Sequence, residues 1–315
     1  MTDHQFIFSI IVPTYARPEK LTACLQSFTK LEYPRDRFQV IVVNDSTEIS
    51  LESTVFPFQT QLNLTLLIQP NSGPAIARNT GSFAARGKFL VFTDDDCTVA
   101  ANWLQTLESR FAKTPDCLIG GRIINALPDN IYSTASQQLI DYLYSYYNAI
   151  GDRAKFFTSN NFALPAAAFE KIGGFDTSFA LAAGEDREFC DRWLNSGCGA
   201  VYAPEVIVYH AHKLTLQTFW QQQFNYGKGA FLFQQITSKS GKKGKLQHPT
   251  FYLNLLTYPF AHTPGIQKLL IAGLFLVSQV AIAAGLFWEK NNSADRLLYS
   301  AVETAPGQTK SADAD

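Results

Sequence analysis

The chain has 315 residues, 46% of them hydrophobic, enough for one large α/β domain and an appendage. Its formal net charge is −1, so it lacks the basic excess that would suit nucleic acid as a partner. Its five cysteines, Cys24, Cys97, Cys117, Cys190 and Cys198, are scattered without a CxxC pair, which argues against a zinc cluster and for reduced thiols in a cytoplasmic setting.

The opening MTDHQFIFSIIVPTY has no basic region and only a short apolar run, so it reads as a first strand, over Ser9–Pro13, and not as a signal peptide. A helix is predicted over Pro18–Leu31, with Leu21, Cys24, Leu25 and Phe28 at helical spacing. Phe38–Asn44 and Leu64–Ile68 read as strands. NSGP (Asn71–Pro74) reads as a turn, Ala75–Arg86 as a helix and Phe89–Thr93 as a buried strand. Strand–helix–strand alternation of this kind predicts a mostly parallel sheet flanked by helices. Further on, Trp103–Lys113 and Thr134–Ala149 read as helices and Cys117–Ile124 as a strand. Gly173–Asp176 reads as a turn, Glu185–Ser196 as a helix, and Ala200–Ala203 and Val206–His210 as two short strands.

The last third differs in character. Phe219–Phe233 is helix-like, and a basic loop, Lys239–Lys245, follows. Tyr252–His262 is a short apolar stretch, and Leu269–Trp288 runs twenty residues without a charge. Twenty helical residues span about 30 Å, the thickness of a bilayer's hydrocarbon. Clustered lysines beside such a run predict a membrane-associated or single-span segment on the cytoplasmic side. The composition therefore divides the chain into an α/β unit over 1–235, a basic and apolar segment over 236–290 and a polar, disordered tail over 291–315.

The stretch KFLVFTDDDC (Lys88–Cys97) is the most informative. It ends a strand in three aspartates, Asp94, Asp95 and Asp96, at the sheet edge where α/β folds bind ligands. Adjacent carboxylates repel one another, and their hard oxygens suit Mg²⁺ or Mn²⁺. Asp45 ends another strand. Arg78 lies on the helix before the acidic strand, where it could pair with phosphate or with an aspartate of the cluster. Glu185 and Asp186 open a helix, whose N-terminus keeps a carboxylate ionised.

Taken in order, IIVPTYARP (Ile10–Pro18), VVND (Val42–Asp45), NSGPAIARNTGSFAARGKFLVFTDDD (Asn71–Asp96), GGFD (Gly173–Asp176), GEDREFCDRWLNSG (Gly184–Gly197) and VIVYH (Val206–His210) resemble the family-2 glycosyltransferases of the GT-A fold. The resemblance covers about two thirds of the chain. It implies inverting transfer of one sugar from a nucleotide-sugar donor to a glycan, lipid-linked or other hydroxyl acceptor, assisted by Mg²⁺ or Mn²⁺. It assigns the metal to Asp96, with Asp94 and His210 as further ligand candidates. The donor falls to Pro13, Tyr15, Arg17, Asp45, Arg78, Asp94 and Asp95, with Asp94 or Asp95 facing the ribose. It assigns the base to Asp186, with Glu185 beside it. Asn44-Asp45-Ser46-Thr47 stands where many relatives have Asp-Asp-Gly-Ser, which leaves one carboxylate for the nucleotide base. Asn160, Asn161 and the Tyr142–Tyr147 cluster are candidates for the acceptor groove, since amides and aromatic faces bind sugars. The family's processive synthases carry QxxRW after the ED pair. Gln221-Gln222-Gln223-Phe224-Asn225 does not match it, so a single-sugar transferase is expected.

Two other readings stand beside this one. A metal-dependent nucleotidyltransferase also uses paired acids, but Pro13-Thr14-Tyr15-Ala16-Arg17 lacks that class's glycines. A catalytically degenerate membrane-bound partner would not need Asp96 and Asp186 intact.

Overall fold

A computed structural model describes residues 6–239 and 247–303. Strands β1 (Phe6–Thr14), β2 (Phe38–Asn44), β3 (Leu64–Ile68) and β4 (Gly87–Phe92) are joined by β5 (Cys97–Val99), β6 (Leu118–Asn125), β7 (Phe162–Pro165) and β8 (Ala200–His210). They form one sheet in the order β3-β2-β1-β4-β7-β6-β8-β5. The pairs β1–β2, β2–β3, β1–β4 and β6–β8 are parallel, whereas β4–β7, β6–β7 and β5–β8 are antiparallel. β1 and β2 are β-branched and buried almost throughout, as strands covered on both faces must be.

The helices are α1 (Pro18–Phe28), α2 (Glu52–Gln59), α3 (Pro74–Phe83), α4 (Trp103–Phe111), α5 (Ile131–Tyr147), α6 (Ala166–Lys171), α7 (Glu185–Asn195), α8 (Leu216–Lys239), α9 (Pro249–His262) and α10 (Gln267–Glu303). Strand side chains alternate between faces. Ile10, Val12, Val40 and Val42 therefore meet Leu25 and Phe28 of α1 and Leu104 of α4 on one side. Ile11, Ile41 and Val43 meet Ala75 and Ala77 of α3 and Phe189 of α7 on the other. A third apolar cluster joins Leu139 and Tyr142 of α5 to Phe219, Phe251, Ile271 and Phe275 of the last three helices.

The strands expected at Phe38–Asn44 and Leu64–Ile68 form with those bounds. The two short strands expected before His210 are instead one, β8, which runs through Pro204. Its partner's register jumps between Gly121 and Arg122, so Ala203 and Ile207 face adjacent residues. Pro204 lies in the resulting bulge, where it need not donate to the ladder. Helix α8 continues through residue 235, and α10 continues through 290 to Glu303, so part of the expected tail is helical. Residues 240–246, which hold most of the basic loop, and 304–315 lie outside the described residues.

The last three helices are not a detached appendage. At Gly227 of α8 a Cβ would lie 2.0 Å from the Ile282 carbonyl oxygen, and at Gly285 of α10 it would lie 1.9 Å from that of Phe224. The two backbones can touch there only because both positions lack side chains.

Candidate active site

The parallel strands end on one edge, and the register brings their loops together. β1 pairs Ile11 with Phe92, and the Thr93 N–H donates to the Ile11 carbonyl at 3.2 Å. Asp94–Asp96 therefore lie beside the loop that follows β1. On the far side, antiparallel β5–β8 pairing sets Cys97 opposite His210. Two residues separated by more than a hundred positions thus meet: His210 Nε2 is 3.2 Å from Asp96 Oδ1.

The three aspartates have different surroundings. Asp95 is fully buried: Thr14 Oγ1 donates to Oδ2 at 2.5 Å, Arg17 Nε donates to the same oxygen at 3.0 Å, and Arg17 Nη2 lies 2.6 Å from Oδ1. Burial pushes its carboxyl up to about 6 against the pull of Arg17 and Thr14. The expectation that Asp95 could face the ribose is therefore corrected. Its carboxylate turns inward and pins the first loop, where Ala16 holds a positive φ of 53°. Asp96 is paired with Lys20 Nζ at 3.1 Å and Arg17 Nη1 at 3.4 Å as well as with His210. Burial opposes its charge, but the hydrogen bond and charge of His210, then Lys20 and Arg17, outweigh it. They hold this carboxyl well below the usual range. Asp94 is the open member, with its side chain 27% exposed.

Arg78 ties this cluster to the ED pair. Its guanidinium is buried; Nη2 donates to Asp94 Oδ1 at 2.9 Å and Nη1 to Glu185 Oε1 at 3.1 Å. Burial works against its charge, but Asp94, Asp186 and Glu185 outweigh that and keep it protonated. One cation among three acids secures itself and leaves the acids undercompensated. Burial, then the Asp186 charge, pushes Glu185 up to about 8 despite the ion pair. Burial also raises Asp186, against Arg78 and hydrogen bonding from Ser159. Asp186 Oδ1 is buried and accepts no hydrogen bond among the described residues. The next residue of α3, Asn79, holds the GGFD turn in place. Its Nδ2 donates to the Phe175 carbonyl and its Oδ1 accepts from the Phe175 N–H, both at 2.9 Å.

Pro13 is inside β1, paired with Val43, and Tyr15 projects at the strand's end with half its surface exposed. Asp45 is buried. Gln69 Nε2 (2.8 Å) and the Ser72 N–H (2.9 Å) donate to its Oδ1, and the Gly73 N–H (2.9 Å) donates to its Oδ2. It thus fixes the NSGP turn at the start of α3.

Asn161 is corrected from the acceptor groove to the core. Its Oδ1 accepts from Trp103 Nε1 at 3.1 Å, and its Nδ2 donates to the Arg122 and Val206 carbonyls at 2.8 and 3.0 Å. All its hydrogen-bonding capacity is directed inward, where it bridges β6 and β8 at the bulge. Asn160 is buried, with Thr158 Oγ1 donating to its Oδ1 at 2.7 Å. Of the tyrosines, Tyr142 and Tyr144 pack inward, Tyr142 donating to the Phe251 carbonyl at 2.6 Å and Tyr144 meeting Thr158 Oγ1 at 3.1 Å, whereas Tyr146 is exposed. Sequence reasoning missed Lys20, three residues after Arg17 on α1, and Ser159, which precedes the two asparagines and turns toward Asp186.

Comparison with known proteins accords with this geometry. The glycosyl transferase family 2 profile matches residues 9–173, and one described as the N-terminal domain of galactosyltransferase matches residues 144–214. The chain belongs to glycosyl transferase family 2 and is a glycosyltransferase enzyme with a Rossmann-like, mixed α/β GT-A fold. This sets aside the nucleotidyltransferase alternative. The chain is 26% identical over 231 residues to glycosyltransferase AglE of Haloferax volcanii, which covers 73% of this chain and 74% of that one. It is 28% identical to the pre-mycofactocin glycosyltransferase of Mycobacterium tuberculosis, covering 61% of this chain but only 41% of the relative. Among solved structures, the mannosyltransferase PcManGT of Pyrobaculum calidifontis, in complex with GDP-Man and Mn²⁺, superposes with a TM-score of 0.58 at 19% identity and covers 94% and 80% of the two chains. Residues 1–349 of TarS of S. aureus, in complex with UDP-GlcNAc, give 0.52 at 18%, covering 91% and 92%.

Proposed function

We propose that the chain is an inverting glycosyltransferase that moves one sugar from a nucleotide-diphosphate sugar to a hydroxyl acceptor, with a divalent cation at Asp96 and His210. The observation that carries this is the 3.2 Å approach of Asp96 Oδ1 to His210 Nε2 on the edge that also holds Asp94, Arg78 and the ED pair. A carboxylate oxygen held ionised and an imidazole nitrogen form a donor set that suits Mn²⁺ or Mg²⁺. Cys97 lies in the same group, but burial keeps its thiol protonated, so it is not counted as a ligand. A bound cation would supply charge stabilisation for the departing diphosphate.

The protein's own groups account for the rest. Asp94 is exposed enough to meet the donor's ribose, and the Tyr15 ring can cover its base. Arg17 and Lys20, paired with Asp95 and Asp96, place positive charge beside the proposed cation site, where it suits a diphosphate. Asp186 takes the proton of the acceptor hydroxyl as that oxygen bonds to the anomeric carbon and the bond from that carbon to the diphosphate oxygen breaks. A single displacement of this kind inverts the configuration. Arg78 holds Asp94 and Glu185 in fixed relation to this base. Because PcManGT and TarS, which share this fold, were solved with GDP-Man and UDP-GlcNAc, UDP- and GDP-sugars are the first donors to test. The acceptor is a glycan or lipid-linked molecule at the cytoplasmic face of a membrane. The catalytic unit falls within 1–235 and the membrane-facing segment within 236–290, with α8 and α10 running across those limits.

Calorimetry of UDP and GDP with and without Mn²⁺ tests this reading. Metal-dependent binding that Asp96→Ala abolishes is expected. Equal affinity in the variant would overturn the metal assignment.

A further inference from the structure

Residues Gln267–Ser293 of α10 are long and apolar enough to cross a membrane by length and composition, and most of this apolar stretch is not buried inside the protein. Its packing indicates a different placement. Ile271, Phe275, Ser278, Ala281 and Gly285 recur at helical spacing and are buried against the protein. Leu269, Leu276, Val280 and Phe287, spaced by seven, four and seven residues, form an apolar stripe on the other side, each at least 55% exposed.

The buried side of α10 lies along α8, through the Gly227–Ile282 and Gly285–Phe224 backbone contacts. In that same stretch α8 carries Gln221, Gln222, Gln223, Asn225 and Lys228, and Lys228 Nζ pairs with Glu289 of α10 at 3.7 Å. Helix α8 is in turn pressed on the catalytic loop: a Cβ at Gly229 would lie 2.0 Å from the carbonyl oxygen of Ala183, two residues before Glu185. A perpendicular crossing by α10 would take this polar layer into the hydrocarbon, where amides and charges are costly.

We infer that α10 does not span the bilayer but lies in its plane, with the Leu269–Phe287 stripe sunk into the headgroup boundary of one leaflet and the catalytic edge held above it. Three further observations favour a lipid surface as the occupant. The stripe belongs to a twenty-residue run without a charge. Lys268 and the exposed Lys290 bracket that run, where they meet anionic headgroups. Trp288, 46% exposed, stands at its end, a residue suited to the interface. The inference rests on the proposed function only in giving the enzyme a membrane-proximal acceptor.

Flotation of the full chain with phosphatidylcholine vesicles, with and without phosphatidylglycerol, tests it. The doubly substituted Leu276→Glu/Val280→Glu protein should keep its circular dichroism spectrum and its hydrolysis of the nucleotide-sugar donor, and its vesicle-bound fraction should fall by about tenfold or more. In a Cys117→Ser/Cys198→Ser background, Ile266→Cys and Asn291→Cys on vesicle-bound protein should both react with an impermeant maleimide added outside, while Leu276→Cys stays shielded. Protection of one end until detergent is added would mean a span and would overturn the inference. So would unchanged flotation of the glutamate variant, or a soluble dimer of the parent that the glutamates dissociate. Loss of donor hydrolysis in the parent would instead count against the proposed reaction and leave the flotation result standing.

Discussion

Arg78 and Glu185 stand 107 residues apart in the chain and 3.1 Å apart in the fold, both nearly excluded from solvent. Through its other amine Arg78 holds Asp94, so the acidic strand end and the ED pair are one charged unit. Replacing it with methionine leaves buried acids without their cation, a loss of about 3–5 kcal/mol. Arg78→Met should lower the melting temperature and weaken donor turnover together. Arg78→Lys, which cannot serve both acids with the same fork, should recover only part of either. A methionine variant with parental melting temperature and turnover would contradict this.

Asp186→Asn keeps the side chain's shape and removes its ability to take a proton. Donor binding by calorimetry should stay near the parent's, while transfer falls by about 10²-fold or more. Parental turnover in this variant would move the base to another group, Glu185 first.

Glu185 gives a pH signature. With its carboxyl pushed up to about 8 by burial and by Asp186, the folded chain holds a proton that the unfolded chain releases above the ordinary glutamate value of 4.5. The folded state therefore binds more protons across that window. The stability this contributes is present below about 4.5 and is lost as pH rises through about 8, with a slope of at most about 1.4 kcal/mol per pH unit. Denaturant melts of the parent between pH 6.5 and 9 should show this decline, and Glu185→Gln should flatten it. Equal slopes in the two proteins would mean that Glu185 ionises normally.

Asn161→Ala should act on stability and not on sugar recognition. It strands the Trp103 indole N–H and two strand carbonyls, at about 1–3 kcal/mol for each buried group left unpaired. A melt and an acceptor titration on the same variant separate the two roles. A parental melting temperature with a raised acceptor KM would return Asn161 to the groove.

Much of the nucleotide half could be read from the sequence because its signals are local. A β-branched run ending in Asp45, or in Asp94–Asp96, marks both a buried strand and its carboxyl end. The rest depends on pairing across the sheet. Asp95 and Asp96 are adjacent and chemically alike, yet one turns to Thr14 and the other to His210, and only strand register decides which. Asn161 looked like a sugar-binding amide because its bonds run to carbonyls of β6 and β8, which meet only once the bulge forms. Helix α2 was missed because Pro57 lies inside it, and β5 because three residues make no periodic pattern. Lys20 carried a faint signal, its one-turn spacing from Arg17.

The double seating of α8, on Ala183 by one face and on α10 by the other, bears on how the enzyme is handled. Removing the apolar C-terminal helices to obtain a soluble fragment would strip the outer wall from the helix that braces the ED loop. The cut would bare a glycine-lined groove shaped for a backbone. Polar substitutions along the outward stripe leave that wall intact.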